Sequence, residues 1–147
     1  MRDIDKENDV LFTKFIRGDK LDSENIIRQY RLNEIHNRQI LRKNSNRMYM
    51  DILSFDAKDT EVLTNETLTK IARKYVKERS KKAISLCVVH RDKEHTHLHI
   101  LLSAVDYKTG VNNRLSREAF KHVKIETERF VQDKFPEIKH SNIEHDK

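Results

Sequence analysis

The 147 residues are enough for one domain with a sizeable core. The chain is 37% charged and 36% hydrophobic with a net charge of +6, polar for a globular protein, but its apolar residues fall in periodic segments, which excludes a disordered chain. No apolar run nears the ~18 residues of a membrane span, the charged start MRDIDKEND excludes a secretory signal, and the single Cys87 excludes a disulfide framework, so a cytoplasmic protein with no membrane partner is expected.

Residues 10–17 read as a short strand ended by Gly18. Asp22 or Ser23 can cap a helix running to about Lys43. Its apolar face, Ile26, Ile27, Tyr30 and Ile35, is thin, which suits a helix at the surface or against a ligand. Residues 47–55 read as a strand, and DAKDT as a polar loop. Thr64 or Asn65 starts a helix with Leu68, Ile71, Ala72, Tyr75 and Val76 at helical spacing. Ala83–His90 and His97–Val105 are β runs joined by a turn, and a loop around Gly110 follows. Ser116 caps the last helix, with Leu115 able to staple onto Phe120 and a buried stripe of Ala119, Phe120, Val123, Thr127, Phe130 and Val131. Pro136 lies past its end, and residues 139–147 read as a polar, frayed tail.

The order β-α-β-α-β-β-α predicts an α+β fold over 1–147: a largely antiparallel sheet with a central hairpin and helices packed on one face. Cys87, in an apolar run, reads as an inert buried thiol. Two stretches are basic. Residues 70–82 hold Lys70, Arg73, Lys74, Lys77, Arg79, Lys81 and Lys82 against Glu78, and residues 28–47 hold Arg28, Arg31, Arg38, Arg42, Lys43 and Arg47 against Glu34. Such stripes can neutralise phosphates, although a solvated helix face explains either one alone equally well.

The most informative segment is VHRDKEHTHLHILLS, residues 89–103. Strand side chains alternate, so His97 and His99 share one face while Leu98, Ile100, Leu102 and Ala104 take the other. In a hairpin with a loop at 91–96, His90 pairs opposite His97, and cross-strand neighbours share a face with Cβ atoms ~5 Å apart. A one-residue slip would send His90 to the wrong side. Half of the 8 histidines fall within residues 90–99, which argues against a chance His-rich tip. Three converging imidazoles suit a divalent transition metal, with Asp92 and Glu94 as carboxylates able to fix their tautomers. His95 has the same parity but reads as part of the turn, outside the ligand set. Metallo-β-lactamase and cupin patterns fail, because Ile100, Leu101 and Ser103 stand where those motifs need ligands. A rival is the histidine-triad nucleotide hydrolases, approximated by His95, His97 and His99 with intervening Thr96, Leu98 and Ile100. In that reading His97 attacks a nucleotide phosphate and needs no metal.

These residues resemble the relaxases, or mobilisation nucleases, of the HUH endonuclease group. His90, Asp92 and then His97-Leu98-His99 match their third motif, with ligand spacings of seven and two residues. RMYMDILSFDAKDT resembles their strand ending in Ser-Phe, and Asn113–Val131 their following helix. His95 is similar to an extra histidine in relatives that process T-DNA. The resemblance implies metal-dependent nicking of single-stranded DNA at a transfer origin by transesterification, for plasmid or mobile-element mobilisation, with accessory mobilisation proteins as further partners. It implies Mn²⁺ or Mg²⁺, and three imidazoles favour Mn²⁺, Zn²⁺, Ni²⁺ or Co²⁺ over Mg²⁺. It implies DNA contacts from the basic helices, with Arg28, Arg31, Arg42, Lys70, Lys74 and Lys77 as candidates.

Two positions depart from the family. Met50 stands where many relatives carry His. The usual nucleophile is a tyrosine close to the N-terminus, and no Tyr precedes Tyr30. Either Tyr30 attacks, or it packs with Ile26 and Ile27 and the nucleophile precedes Met1, the chain being a fragment of a longer protein. His36 is a remote alternative. A non-catalytic origin-binding module on the same fold also stays open.

Overall fold

The computed structural model describes residues 8–18, 22–36, 48–91, 95–107 and 114–141. Arg42, Asp92 and Glu94, the helix beyond residue 36 and the end of the tail lie outside them. The elements are β1 (Asn8–Lys14), α1 (Ser23–His36), β2 (Met48–Asp56), a short 3-10 helix (Ala57–Val62), α2 (Asn65–Arg79), β3 (Ala83–Arg91), β4 (His95–Asp106) and α3 (Arg117–Lys134). The strands form one antiparallel sheet in the order β1-β3-β4-β2. The fold is α+β, as its alternation of periods predicts.

Local chemistry sets most boundaries. Asp22 accepts from the Glu24 amide at 3.0 Å and Ile26 N donates to the Asp22 carbonyl, so Asp22 starts α1. Thr64 caps α2 by accepting from Thr67 N, and Ser116 caps α3 by accepting from Ala119 N. Asp56 turns the expected DAKDT loop into a 3-10 helix by accepting from Lys58 N at 2.8 Å. The first strand stops at Lys14 rather than running to residue 17, because Phe15 takes a positive φ of 61° and Gly18 one of 79°. The Asn25 and Gln29 side chains then bind the Arg17 carbonyl and tie this corner to α1.

The two sheet faces differ. Leu53, Phe55, Cys87, Val89, Leu98, Ile100 and Leu102 point to one face and form the main core with α2 and α3. Burial pushes the Cys87 thiol up to about 12, with Arg73 opposing the shift, so the thiol is inert as expected. Beneath this core Asp51 accepts from Tyr75 Oη at 2.7 Å and from Arg79 Nε at 2.9 Å. Arg79 therefore belongs to a buried ion pair, not to a phosphate-facing stripe.

The helices do not all share that face. Tyr30 packs with Ile16, Ile84 and Leu86, with Ile26, Val88 and Leu101 around them, so α1 lies on the opposite side from α2 and α3. Its thin apolar stripe covers only the half of this face where β4 ends, and Asn33 Nδ2 donates to the Val105 carbonyl there. The tail is anchored at its start. Asp59 accepts from the amides of Lys139 and His140 and from Ser141 Oγ, Asp56 N donates to Ser141 Oγ at 2.9 Å, and Ile138 is buried.

Candidate active site

The half of the sheet face that α1 leaves open carries the histidines. β3 and β4 pair with His90 opposite His97 and Val88 opposite His99, the register expected from the hairpin. The ring centroids of His90, His97 and His99 form a nearly equilateral triangle with sides of 6.3, 6.2 and 6.3 Å. Burial first, and then the facing charges of His97 and His90, hold the His99 pKa below the usual histidine value. That favours the neutral imidazole, which is the form that ligates a metal.

β4 begins at His95, two residues earlier than expected. His95 therefore stands on the strand, opposite Asp56, and its ring lies 5.6 Å from that of His97. Placing it in the turn was wrong; the pairing of β2 with β4 extends the strand.

Sequence reasoning missed one residue here. Ser54 lies opposite His97 on β2, with its Oγ 3.1 Å from His97 Nδ1. The hydroxyl engages Nδ1, one of the two ring nitrogens, and so restrains the ring's orientation. The Ser-Phe ending of that strand was the only signal for it.

The metal expectation can be tested against this donor set. Among the described residues no group of His, Cys, Asp and Glu side chains is drawn in to coordinating positions. Three rings bound to one ion through ~2.1 Å bonds would bring their centroids to about 5 Å; the observed triangle is wider by about 1 Å. The chemistry of the donors nonetheless fits, being three half-buried imidazoles on one open face, one of them held by a hydroxyl.

Tyr30 is 7% exposed. Its hydroxyl donates to the Leu101 carbonyl at 2.8 Å, with the Ile84 carbonyl 3.4 Å away. Burial raises its pKa well above the ordinary tyrosine value. α1 does cross the histidine face, but it turns Tyr30 inward. Tyr107 stacks on Phe15 beside the same cluster, and Tyr49 and Tyr75 pack with the main core on the far face. Arg28 and Arg31 are exposed on α1, with Arg28 donating to Asn25 Oδ1 at 2.6 Å. Lys70, Lys74 and Lys77 lie on α2, across the sheet from the histidines, where Lys70 pairs with Glu66 and Lys74 with Glu78.

Fold and site define a class: an antiparallel α+β domain that presents clustered imidazoles on a half-open sheet face. A family model described as relaxase, MobA/VirD2-like, nuclease domain matches residues 2–133, and the chain belongs to this family. No curated protein and no solved structure matches it. Membership makes it a nuclease domain of the DNA-nicking, mobilisation type. Among the described residues no helix is long and apolar enough to cross a membrane.

Proposed function

We propose that the domain acts on single-stranded DNA at a transfer origin in a metal-dependent nicking reaction that mobilises a plasmid or related element. The observation that carries this reading is the triangle of His90, His97 and His99 on an open sheet face, in a chain of the relaxase family. These three imidazoles would hold the cation, Mn²⁺ or a similar divalent ion. Bound there, it would neutralise charge on the non-bridging oxygens of the scissile phosphate. Ser54 keeps His97 in one tautomer and orientation. Arg28 and Arg31 bind the DNA backbone beside the cut. In the reaction a hydroxyl oxygen forms a bond to phosphorus as the bond to the 3′ oxygen breaks, which leaves a 5′-phosphoester link and a free 3′-hydroxyl.

Attack requires a hydroxyl within ~3–3.5 Å of the phosphorus. The buried, carbonyl-bound Tyr30 speaks for packing in its case and favours a second reading, an origin-binding module lacking its nucleophile. Incubation with Mn²⁺ and a single-stranded oligonucleotide spanning the cognate origin, followed by a denaturing gel, separates the two. We expect weak or absent covalent adduct from these 147 residues. An adduct that needs Mn²⁺ and is lost in His97→Ala supports the nicking reading. No adduct, with DNA binding retained, leaves the binding module. An adduct from the present chain that vanishes in Tyr30→Phe returns the role to Tyr30, and one lost only in His36→Ala moves it to histidine.

A further inference from the structure

We propose that the groove between α1 and β2 receives one unstacked nucleobase of the DNA strand, next to the nucleotide whose phosphate faces the histidines; this rests on the DNA-nicking reading above. The groove encloses about 430 Å³ and is lined by Ile26, Ile27, Tyr30 and Arg31 from α1 and by Met48 and Leu101 from the sheet. That volume is within the range of small-molecule sites and ample for a base. Its walls are apolar, and among the described residues Arg31 supplies the one charged group of the lining.

Exposure of apolar side chains is concentrated here. Ile27 is 56% exposed, Met48 43%, Met50 57% and Ile52 39%. Met48, Met50 and Ile52 alternate along β2, so they share the histidine face and form an apolar strip on it. Ile52 stands opposite His99 and Met50 opposite Leu101, so the strip runs unbroken from the histidines to the groove. Leu101 is two residues beyond His99 on β4, ~7 Å along the strand. A strand whose phosphate sits at the histidines can therefore place a neighbouring base in the groove.

A base matches this lining better than a peptide or lipid does. It offers a flat apolar face to Ile27, Met48 and Leu101, and a polar edge or adjoining phosphate to Arg31. Tyr30, buried and held by its hydrogen bond to Leu101, gives the groove a fixed wall that needs no further ordering. Charge agrees too, in a chain of net charge +6 with Arg28 and Arg31 on the helix that forms one wall.

The test compares a ten-residue oligodeoxythymidylate with an abasic deoxyribose-phosphate strand of the same length, by fluorescence anisotropy with Mn²⁺ at low salt. The parent should prefer the base-bearing strand by about tenfold, the weight of one stacked base. Met48→Gln and Ile27→Gln change exposed side chains and spare the fold, and each should shrink the preference severalfold while leaving abasic-strand affinity in place. Leu32→Gln, equally exposed on α1 but outside the groove, should preserve it. A preference that is missing in the parent, or unaltered by Met48→Gln and Ile27→Gln, overturns the groove assignment alone. Failure to bind either strand overturns it together with the DNA-nicking reading. Sedimentation of the parent as a dimer that Met48→Gln dissociates would make the groove a contact between copies and overturn the proposal.

Discussion

His97 is oriented by a residue 43 positions upstream, and this one contact divides what local sequence can reveal from what it cannot. His90, His97 and His99 are legible because strand parity and a short hairpin suffice to place them together. Ser54 reaches them only through the pairing of β2 with β4, a long-range choice that no local period announces. Tyr30 shows the same boundary. Its neighbours Ile26 and Ile27 allow either an inward or an outward ring, and the carbonyls of Leu101 and Ile84 decide the matter. Mn²⁺ calorimetry on the metal-free protein tests the site at this scale. Alanine at His90, His97 or His99 should abolish measurable binding, and Ser54→Ala should weaken it by ~10-fold or more, as loss of a partner behind a ligand does. His95→Ala should leave it nearly unchanged. Undiminished affinity in His97→Ala would remove the assignment, and loss in His95→Ala alone would redraw the ligand set around the edge of β4.

Among the elements, α1 lies on the opposite side of the sheet from α2 and α3. Their caps were readable from Asp22, Thr64 and Ser116, whose side-chain oxygens serve the amides just after them. Their layer was not, since a sparse apolar stripe such as that of α1 packs on either face. The charge stripe of α2 was also misleading, because Arg79 is drawn into the core by Asp51 and Arg73 lies over the Phe12 ring. On the proposed reading, in which DNA lies on the histidine face, this geometry gives the α1 arginines more weight than the α2 lysines. Replacing Arg28 and Arg31 together with Gln should weaken single-stranded DNA binding by about tenfold at low salt and flatten its salt dependence. Replacing Lys70, Lys74 and Lys77 together should alter affinity far less, since they face away from the histidines and two already hold glutamates. Equal losses in the two sets, measured by anisotropy, would mean that DNA wraps both faces.

For the whole molecule, the Asp59 carboxylate joins distant parts of the chain. It collects two amides and a hydroxyl from residues 139–141 and so fastens that segment against the 3-10 helix that follows β2. Polar sequence suggested fraying there; the acceptor sits 80 residues earlier and could not be read locally. Asp59→Ala should lower unfolding stability by about 2 kcal/mol, the scale for losing hydrogen bonds to a charged group. A urea midpoint unchanged from the parent would show that the clamp is idle. The strand order adds a last consequence. Both histidine-bearing strands, β3 and β4, are the inner pair of the sheet, each flanked on both sides by hydrogen-bonded neighbours. Binding groups usually ride on loops that open locally at small free-energy cost. Here the three imidazoles hang from the segment of backbone expected to open only when the domain itself comes apart, so their spacing should persist for as long as the fold does, and any adjustment to a ligand must come from ring rotation or from α1 rather than from the strands.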